Sequence, residues 1–311
     1  MKILICDKLD KLTLEELKKI GNCIDISEEK NKKEKIIENI VDAEIVLVRS
    51  DTKINKELID ISKNLKIIGR SGVGTDNIDL VEASTSNIHV TNTPEANVIS
   101  AAELTVGLII SAARNITVAN NSVKKSEWGR SQFMGIELHK KQLGLIGFGK
   151  VAKLVSTRMQ SFDMKIVFYD PFVDSSTDRE EKIDLDELLM TSDFVSIHIP
   201  KNKETENLIS KEKLSLMKEG SIIVNTSRGG LIDEKEVLNL VKENKLYSAG
   251  FDVYEKEPPE IKKDHVDSKV ITLPHLGAST KEAQSRAGQQ LIKNIKDILN
   301  DDLSSVVNKN L

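Results

Sequence analysis

The sequence predicts an α/β protein in which helices cover parallel sheets. Two observations carry this prediction. Short apolar runs alternate along the chain with longer amphipathic stretches, which is the pattern of repeated βαβ units. The length of 311 residues also suggests two domains, at about 150 residues for each.

The first series of elements precedes residue 114. Strands are predicted at residues 3–6, 45–48, 65–69 and 88–90, and helices at 14–20, 32–40 and 56–61. A long apolar helix is predicted at about 96–113. This helix is a natural crossing between two units.

The second series repeats the same alternation. Strands are predicted at residues 142–146, 165–169, 194–197, 221–225, 247–251 and 270–273, and a final amphipathic helix at 281–299. Two separate α/β units fit this order, and one large sheet is the alternative.

Composition and charge exclude several classes of protein. The 45 basic and 49 acidic residues give a net charge of −4, which disfavours binding to nucleic acid or to an anionic membrane. We find no apolar run of about 20 residues, so we expect a cytoplasmic protein without a membrane span. The two cysteines are too few for a disulfide scaffold or a cysteine-ligated zinc site, and no spacing of His, Asp or Glu suggests a metal.

A glycine turn joins the first strand of the second series to the next helix. Gly147, Gly149 and Ala152 match the pattern G-x-G-x-x-G/A. The first glycine of this pattern permits a tight turn, the second lets a pyrophosphate approach the backbone, and the small third residue lets the helix pack on the sheet. A turn without a ligand is the alternative interpretation of the motif by itself.

The residue after the next strand indicates which dinucleotide would bind. Asp170 lies 18 residues after Ala152. A carboxylate at this place suits the two ribose hydroxyls of an adenosine and repels a 2′-phosphate. The sequence therefore predicts NAD rather than NADP.

An arginine, a carboxylate and a histidine follow the last three predicted strands. Arg228, Glu257 and His275 should share one crevice, because ligands of open α/β sheets bind at the carboxyl ends of the strands. An arginine fork can hold a substrate carboxylate, and a histidine oriented by a carboxylate can exchange the proton that accompanies hydride transfer. Taken singly, the three residues also fit a surface ion pair, a solvated loop residue and a hydrogen-bonded loop histidine.

These motifs together resemble the D-isomer-specific 2-hydroxyacid dehydrogenase family, over nearly the whole chain. The matching runs are the glycine turn with Asp170, residues 225–234 (NTSRGGLIDE), Asp252-Val253-Tyr254, Glu257-Pro258 and residues 274–280 (PHLGAST). The resemblance implies two Rossmann-like domains with the active site in the cleft between them and NAD as cofactor. It implies a substrate-binding domain of residues 1–95 plus 283–311 and an NAD-binding domain of residues 96–282.

The resemblance also implies individual roles. Arg228, Glu257 and His275 would be the catalytic residues. The implied cofactor contacts are Gly147, Gly149, Lys150, Val151, Asp170, Thr226, Ser227, Arg228, Asp252, His275 and Gly277. Among them, Lys150 and Val151 would line the pyrophosphate turn, and Asp252 would meet the nicotinamide end of the cofactor. Thr226, Ser227 and Gly277 would lie along the nicotinamide and its ribose.

Four further runs, at residues 48–53, 69–77, 128–135 and 279–286, resemble family members that act on 3-phosphoglycerate. An acidic protein must gather positive charge locally to bind a phosphate, and Arg49, Lys53 and Arg70 lie near predicted strand ends. Arg130 of the partner subunit is a further candidate. The implied substrate contacts are Arg49, Lys53, Arg70, Ser71, Gly72, Asn97, Arg130, Arg228 and His275.

The implied reaction is the NAD-dependent oxidation of 3-phosphoglycerate, which opens a phosphorylated route to serine. A sister activity on hydroxypyruvate, glyoxylate or 2-oxoglutarate is the first alternative, and a non-enzymatic NAD(H)-sensing protein is the second. The resemblance implies a homodimer. Because the chain stops at Leu311, we expect no C-terminal regulatory domain and no serine feedback through one.

Overall fold

The computed structural model describes residues 1–173, 178–260 and 269–309. The chain divides into two compact units. Unit 1 comprises Met1–Val98 and Ala278–Leu311, and unit 2 comprises Ile99–Gly277. Residues 310 and 311, which fall in the first predicted domain, lie outside the described part of the chain.

Within the described residues, strands and helices alternate along both units. The strands are β1 (Lys2–Ile5), β2 (Asn22–Asp25), β3 (Ile45–Val48), β4 (Ile67–Arg70), β5 (His89–Thr91), β6 (Gln142–Ile146), β7 (Lys165–Tyr169), β8 (Glu180–Lys182), β9 (Phe194–Ile197), β10 (Ser221–Asn225), β11 (Leu246–Phe251) and β12 (Val270–Thr272). The α-helices are α1 (Lys11–Ile20), α2 (Lys32–Ile40), α3 (Lys56–Ile61), α4 (Leu80–Thr85), α5 (Val98–Ala113), α6 (Ile116–Lys124), α7 (Lys150–Gln160), α8 (Leu185–Thr191), α9 (Lys211–Ser215), α10 (Glu234–Lys242) and α11 (Lys281–Leu299). A short 3₁₀ helix spans Arg130–Phe133.

Each unit has its own parallel sheet, so the alternative of one large sheet is wrong. The strand order is β2-β1-β3-β4-β5 in unit 1 and β12-β11-β10-β9-β6-β7-β8 in unit 2. In unit 1 the direction in which successive strands are added to the sheet reverses between β1 and β3, and in unit 2 it reverses between β6 and β9. Ligands of such doubly wound sheets bind outside the carboxyl ends of the strands at these reversals.

Both faces of the inner part of each sheet are buried, which explains why the inner strands are largely apolar. In unit 1, alternate residues of β3 point to opposite cores: Val46 packs with residues of α2 and α3, and Leu47 packs with Leu291 of α11. The final helix therefore belongs to unit 1, although it lies about 190 residues beyond β5 in the chain.

Two strands, β2 and β8, were not predicted from the sequence. Both lie at sheet edges, next to β1 and β7 respectively. Their residues are exposed or half-buried, and β8 is wholly charged, with the sequence EEK. An edge strand with solvated side chains carries no apolar run, so periodicity did not detect it. Each strand that was predicted is present, with bounds shifted by at most two residues.

In the part of the chain that the structure describes, no single helix combines the length and apolar composition of a membrane span. Helices α5 and α6 pass such a test only as a pair, and they are bent by 66° where they meet. Half of the residues of α5 are buried, including Leu108 and Ile109 in the core of unit 2.

Candidate active site

Arg228, Glu257 and His275 lie in loops that leave one edge of the unit 2 sheet. The loops follow β10, β11 and β12, which are consecutive parallel neighbours. The carboxyl ends of parallel neighbours lie side by side, as the sequence analysis assumed. One close approach ties two of these loops together. A Cβ on Gly229 would lie 1.8 Å from the carbonyl oxygen of Tyr254, so only glycine lets these two backbones meet.

His275 and Glu257 form a hydrogen-bonded pair. The distance from His275 Nδ1 to Glu257 Oε2 is 2.7 Å, and the other carboxylate oxygen accepts a hydrogen bond from the Tyr254 amide at 3.1 Å. The two side chains are 42% and 39% exposed, so a substrate can reach them. Since Nδ1 is engaged by the carboxylate, Nε2 is the ring nitrogen left to exchange a proton with a ligand.

Asp252 fixes the loop that carries His275. This fully buried carboxylate accepts hydrogen bonds from the amides of Leu276 at 2.7 Å and Gly277 at 2.8 Å, the two residues after the histidine. Burial raises the pKa of the Asp252 carboxyl, and the two amide hydrogen bonds oppose that rise. In the structure Asp252 thus anchors the histidine loop, and its expected place at the nicotinamide end of the cofactor stays a prediction.

Asn225 fixes the loop that carries Arg228. Its side-chain amide donates to the Arg228 carbonyl at 2.7 Å, and its side-chain oxygen accepts from the backbone and hydroxyl of Ser227 at 3.1 and 2.9 Å. The Arg228 guanidinium donates to the Ser227 carbonyl at 2.8 Å. Thr226 is held by a 2.7 Å hydrogen bond between its hydroxyl and that of Thr105. These hydrogen bonds hold the backbone of the Arg228 loop in one conformation.

The glycine turn between β6 and α7 lies at the reversal point of the unit 2 sheet. Gly147 has φ +89°, and a Cβ there would lie 2.7 Å from the carbonyl oxygen of His198. Gly149 differs: its φ is −78°, and among the described residues no atom lies within 4 Å of a Cβ position. Gly147 is required by the fold, and Gly149 leaves open the space that a pyrophosphate needs beside the α7 N-terminus. The turn therefore fits a dinucleotide.

Asp170 follows β7 and reaches back to this turn. Its carboxylate accepts hydrogen bonds from the Phe148 and Phe172 amides, both at 2.8 Å. Each oxygen keeps a further lone pair for a ribose hydroxyl. Lys150 and Val151 are the first residues of α7, and the Lys150 side chain is exposed. Ala152 is fully buried, as the motif requires of a small third residue.

The candidate phosphate residues Arg49 and Arg70 lie together in unit 1. Arg49 directly follows β3, and Arg70 ends β4, where it stands opposite Val48 in the register. Arg49, Ser71, Gly72 and Asn97 line one cavity, together with Thr93, Ala96, Ala278, Ala283, Gln284 and Ala287. Among the described residues, the fully buried Thr93 hydroxyl in its wall has no hydrogen-bond partner, as expected of a site that receives a polar ligand.

Three of the four phosphate candidates, Lys53, Arg70 and Arg130, are not among the described residues that line this cavity. Lys53 is exposed and follows the buried Thr52. Arg130 is exposed and begins the 3₁₀ helix of unit 2.

Sequence reasoning missed the residues that hold these loops in place. Asn225 and Asn77 bind loop backbone atoms, and Glu234 accepts from the Glu255 amide at 2.8 Å. Burial raises the pKa of the Glu234 carboxyl. Asn225 and Glu234 lie in the family-like run 225–234, and Asn77 lies in the run 69–77, but the resemblance implied no individual role for them.

An open glycine turn, a buried-carboxylate anchor and an exposed His–Glu pair at adjacent strand ends define an NAD-binding α/β dehydrogenase site. Comparison with known proteins agrees. Residues 106–277 match the NAD-binding domain model of the D-isomer-specific 2-hydroxyacid dehydrogenases. The chain belongs to this family, and the predictions of the family, the α/β fold and the NAD cofactor are confirmed.

Relatives in the family carry different activities. The D-3-phosphoglycerate dehydrogenase of Methanocaldococcus jannaschii is 42% identical over 99% of this chain, which spans 59% of that protein's length. The hydroxypyruvate reductase of Thermotoga maritima is 42% identical over 88% of this chain and 90% of its own. The crystal structure of the TT0316 protein from Thermus thermophilus superposes with a TM-score of 0.92 and 26% identity, over 99% of this chain and 100% of its own.

Proposed function

We propose that this protein is an oxidoreductase that oxidises D-3-phosphoglycerate to 3-phosphohydroxypyruvate with NAD, the first step of a phosphorylated route to L-serine. The observation that carries the chemistry is the 2.7 Å hydrogen bond between His275 and Glu257, beside the Arg228 loop. The choice of substrate is supported by the Methanocaldococcus relative and by the Arg49–Arg70 pair in unit 1.

In this proposal, unit 1 is the substrate-binding domain and unit 2 the NAD-binding domain. Arg228 holds the substrate carboxylate and polarises the oxygen on C2. Neutral His275 accepts the C2 hydroxyl proton at Nε2, while the hydrogen on C2 leaves as hydride. NAD⁺, when bound, supplies the hydride acceptor. Glu257 stabilises the imidazolium that forms, and in the reverse direction His275 returns the proton.

The remaining assignments concern ligand contacts. Thr226, Ser227 and Gly277 would contact the nicotinamide and its ribose, and Lys150 and Val151 the pyrophosphate. Arg49 and Arg70 would bind the substrate phosphate, with Lys53 and Arg130 of the partner subunit as further contacts. Ser71, Gly72 and Asn97 would complete the substrate site, since they share the cavity of Arg49.

We also propose that the protein is a cytoplasmic homodimer. Unit 2 carries four large apolar side chains that are at least half exposed near α6: Ile116, Val123, Trp128 and Met134. Exposed apolar side chains concentrated in one stretch of chain are typical of a surface that a second copy covers. Light scattering in solution should give twice the 34.6 kDa chain mass.

The rival function is hydroxypyruvate reduction, which the Thermotoga relative favours because the two chains match over nearly their whole lengths. It uses the same cofactor and the same Arg–Glu–His set but needs no phosphate site.

The test of the proposed reaction is a stoichiometric assay with a chiral product analysis. The purified protein is mixed with NADH and 3-phosphohydroxypyruvate, and the product is separated by chiral chromatography. We expect one D-3-phosphoglycerate for each NADH oxidised. An L-configured product, or no oxidation of NADH, would overturn the proposal.

A further inference from the structure

The loop that carries Arg49 is held from both sides by side chains of unit 1. On one side the buried Asp7 carboxylate accepts the Arg49 amide at 2.6 Å and the Thr52 hydroxyl at 2.7 Å. On the other side the Asn77 side-chain amide donates to the carbonyls of Arg49 at 2.7 Å and Thr52 at 2.5 Å. The ends of the loop 49–52 are thus fixed by side chains on both sides.

Asn77 also contacts the second arginine. Its side-chain oxygen accepts a hydrogen bond from Arg70 Nε at 3.3 Å. The Asn77 side-chain amide therefore links both arginines: its nitrogen binds the Arg49 backbone and its oxygen binds the Arg70 guanidinium. Asn77 is itself fixed, because its carbonyl accepts the Ile54 amide at 2.8 Å and the Asp79 amide donates back to the Ile54 carbonyl at 2.9 Å.

Glycine at position 72 completes the placement of Arg70. Gly72 has φ +155°, and a Cβ there would lie 2.3 Å from Arg70 Nη1. The guanidinium therefore lies over the Gly72 backbone, in the space that any side chain at this position would fill.

The chemistry of the amide matters as much as its position. Asparagine holds a guanidinium through a neutral oxygen and brings no negative charge to it, whereas a carboxylate at position 77 would form an ion pair with it. A phosphate binds through the positive charge of the guanidinium. Two arginines from neighbouring strands bind one phosphate more tightly when their relative placement is fixed beforehand, since ordering long side chains costs binding free energy.

We propose that Asn77 is the positioning residue that fixes Arg49 relative to Arg70 and so makes the site select a phosphorylated over an unphosphorylated 2-keto acid. This inference rests on the proposed function. Asn77 acts through the two arginines and does not itself touch the reacting atoms.

The test compares Asn77→Ala with Asn55→Ala, a matched control. Asn55 is also an asparagine of unit 1, but its side-chain oxygen accepts from the Leu58 amide of α3 and not from either arginine. Initial rates of NADH oxidation are measured with 3-phosphohydroxypyruvate and with hydroxypyruvate. For Asn77→Ala we expect KM for the phosphorylated substrate to rise about tenfold or more, with kcat and the hydroxypyruvate constants within about twofold. Asn55→Ala should change none of these constants.

Equal losses on both substrates, or no loss with the fold intact by circular dichroism, would overturn the proposal for Asn77. If Asn77→Ala does not fold, Asn77→Asp is the second test, because its carboxylate cannot donate to the Arg49 and Thr52 carbonyls and would form an ion pair with Arg70. KM for the phosphorylated substrate should again rise about tenfold or more, with the hydroxypyruvate constants within about twofold. A wild-type preference for hydroxypyruvate would instead refute the proposed function itself, before any variant is compared.

A combination of variants tests whether Asn77 acts through the arginines. Added to the double variant Arg49→Ala/Arg70→Ala, the change Asn77→Ala should raise KM no further, since nothing remains for it to position. A further rise of about tenfold would show that Asn77 has a role of its own and would contradict the positioning account.

Discussion

At the scale of single residues, the side chains assigned to the chemistry lie in loops that other polar side chains hold in place. Asp252 anchors the loop of His275, and Asn225 anchors that of Arg228. The sequence predicted the reactive residues because histidine, arginine and glutamate after strand ends suggest chemistry. It could not predict their anchors, because an asparagine or aspartate beside a strand is equally typical of an ordinary turn.

The pairing of His275 with Glu257 leads to a test of the proton-transfer step. His275→Asn should lower kcat by about 10²- to 10⁴-fold, the usual contribution of a general acid–base group, and leave the Kd for NADH nearly unchanged. Steady-state rates and fluorescence titration with NADH measure the two quantities.

His139→Asn is the matched control for this variant. His139 also lies within 3.3 Å of a carboxylate, that of Asp163, but it precedes β6 at the opposite end of the sheet from the candidate site. Its loss should leave kcat unchanged. A His275→Asn enzyme with near wild-type kcat would remove this histidine from the chemistry.

At the scale of elements, strands with buried apolar side chains were predictable, including the edge strands β5 and β12. The edge strands β2 and β8, whose side chains are solvated, were not. Strands β6, β7, β9 and β10 have the predicted bounds, because the apolar run in the sequence coincides with the buried stretch of each strand. The strands β2 and β8 could not be predicted from local sequence, because they are strands through their pairing with β1 and β7 and not through an apolar pattern of side chains.

The two glycines of the turn between β6 and α7 should respond differently to the same change. Gly147→Ala meets the His198 carbonyl at 2.7 Å in a left-handed conformation, so we expect a lower melting temperature together with loss of NADH binding. Gly149→Ala meets no described atom within 4 Å, so the fold should survive. Its methyl group occupies the approach of the pyrophosphate, and Kd for NADH should rise about tenfold or more.

Thermal melting and NADH titration of both variants provide the comparison. Unchanged NADH affinity in a folded Gly149→Ala protein would contradict the assignment of this turn to the cofactor.

At the scale of the whole chain, one continuous alternation of strands and helices forms two doubly wound sheets. The alternation predicted the fold class. It left the number of sheets open, because the same strands and helices serve one sheet or two. The separation depends on the order in which strands pair, and α11 packs on the sheet of unit 1 through contacts such as Leu291 with Leu47.

A half-buried histidine, His198, should make the stability of unit 2 depend on pH. Burial lowers the pKa of His198 from 6.5 to about 4. Below pH 6.5 the unfolded chain binds a proton that the folded protein does not, so stability falls as the pH drops towards 4. The linkage relation gives a loss of about 2 kcal/mol between about pH 7 and pH 5 from this group.

Denaturant unfolding of the wild type and of His198→Gln at the two pH values measures this loss. The variant should lose about 2 kcal/mol less than the wild type between about pH 7 and pH 5. Equal losses in the two proteins would mean that His198 titrates normally when folded.

The ratio of kcat/KM for 3-phosphohydroxypyruvate to that for hydroxypyruvate, measured side by side with NADH, decides between the proposed substrate and its unphosphorylated rival. The Arg49–Arg70 pair predicts a preference of at least about a hundredfold for the phosphorylated acid, since two charge-assisted contacts are at stake. A preference for hydroxypyruvate would leave the fold, the NAD site and the Arg–Glu–His assignment in place. It would contradict the phosphate site and give the two arginines a structural role.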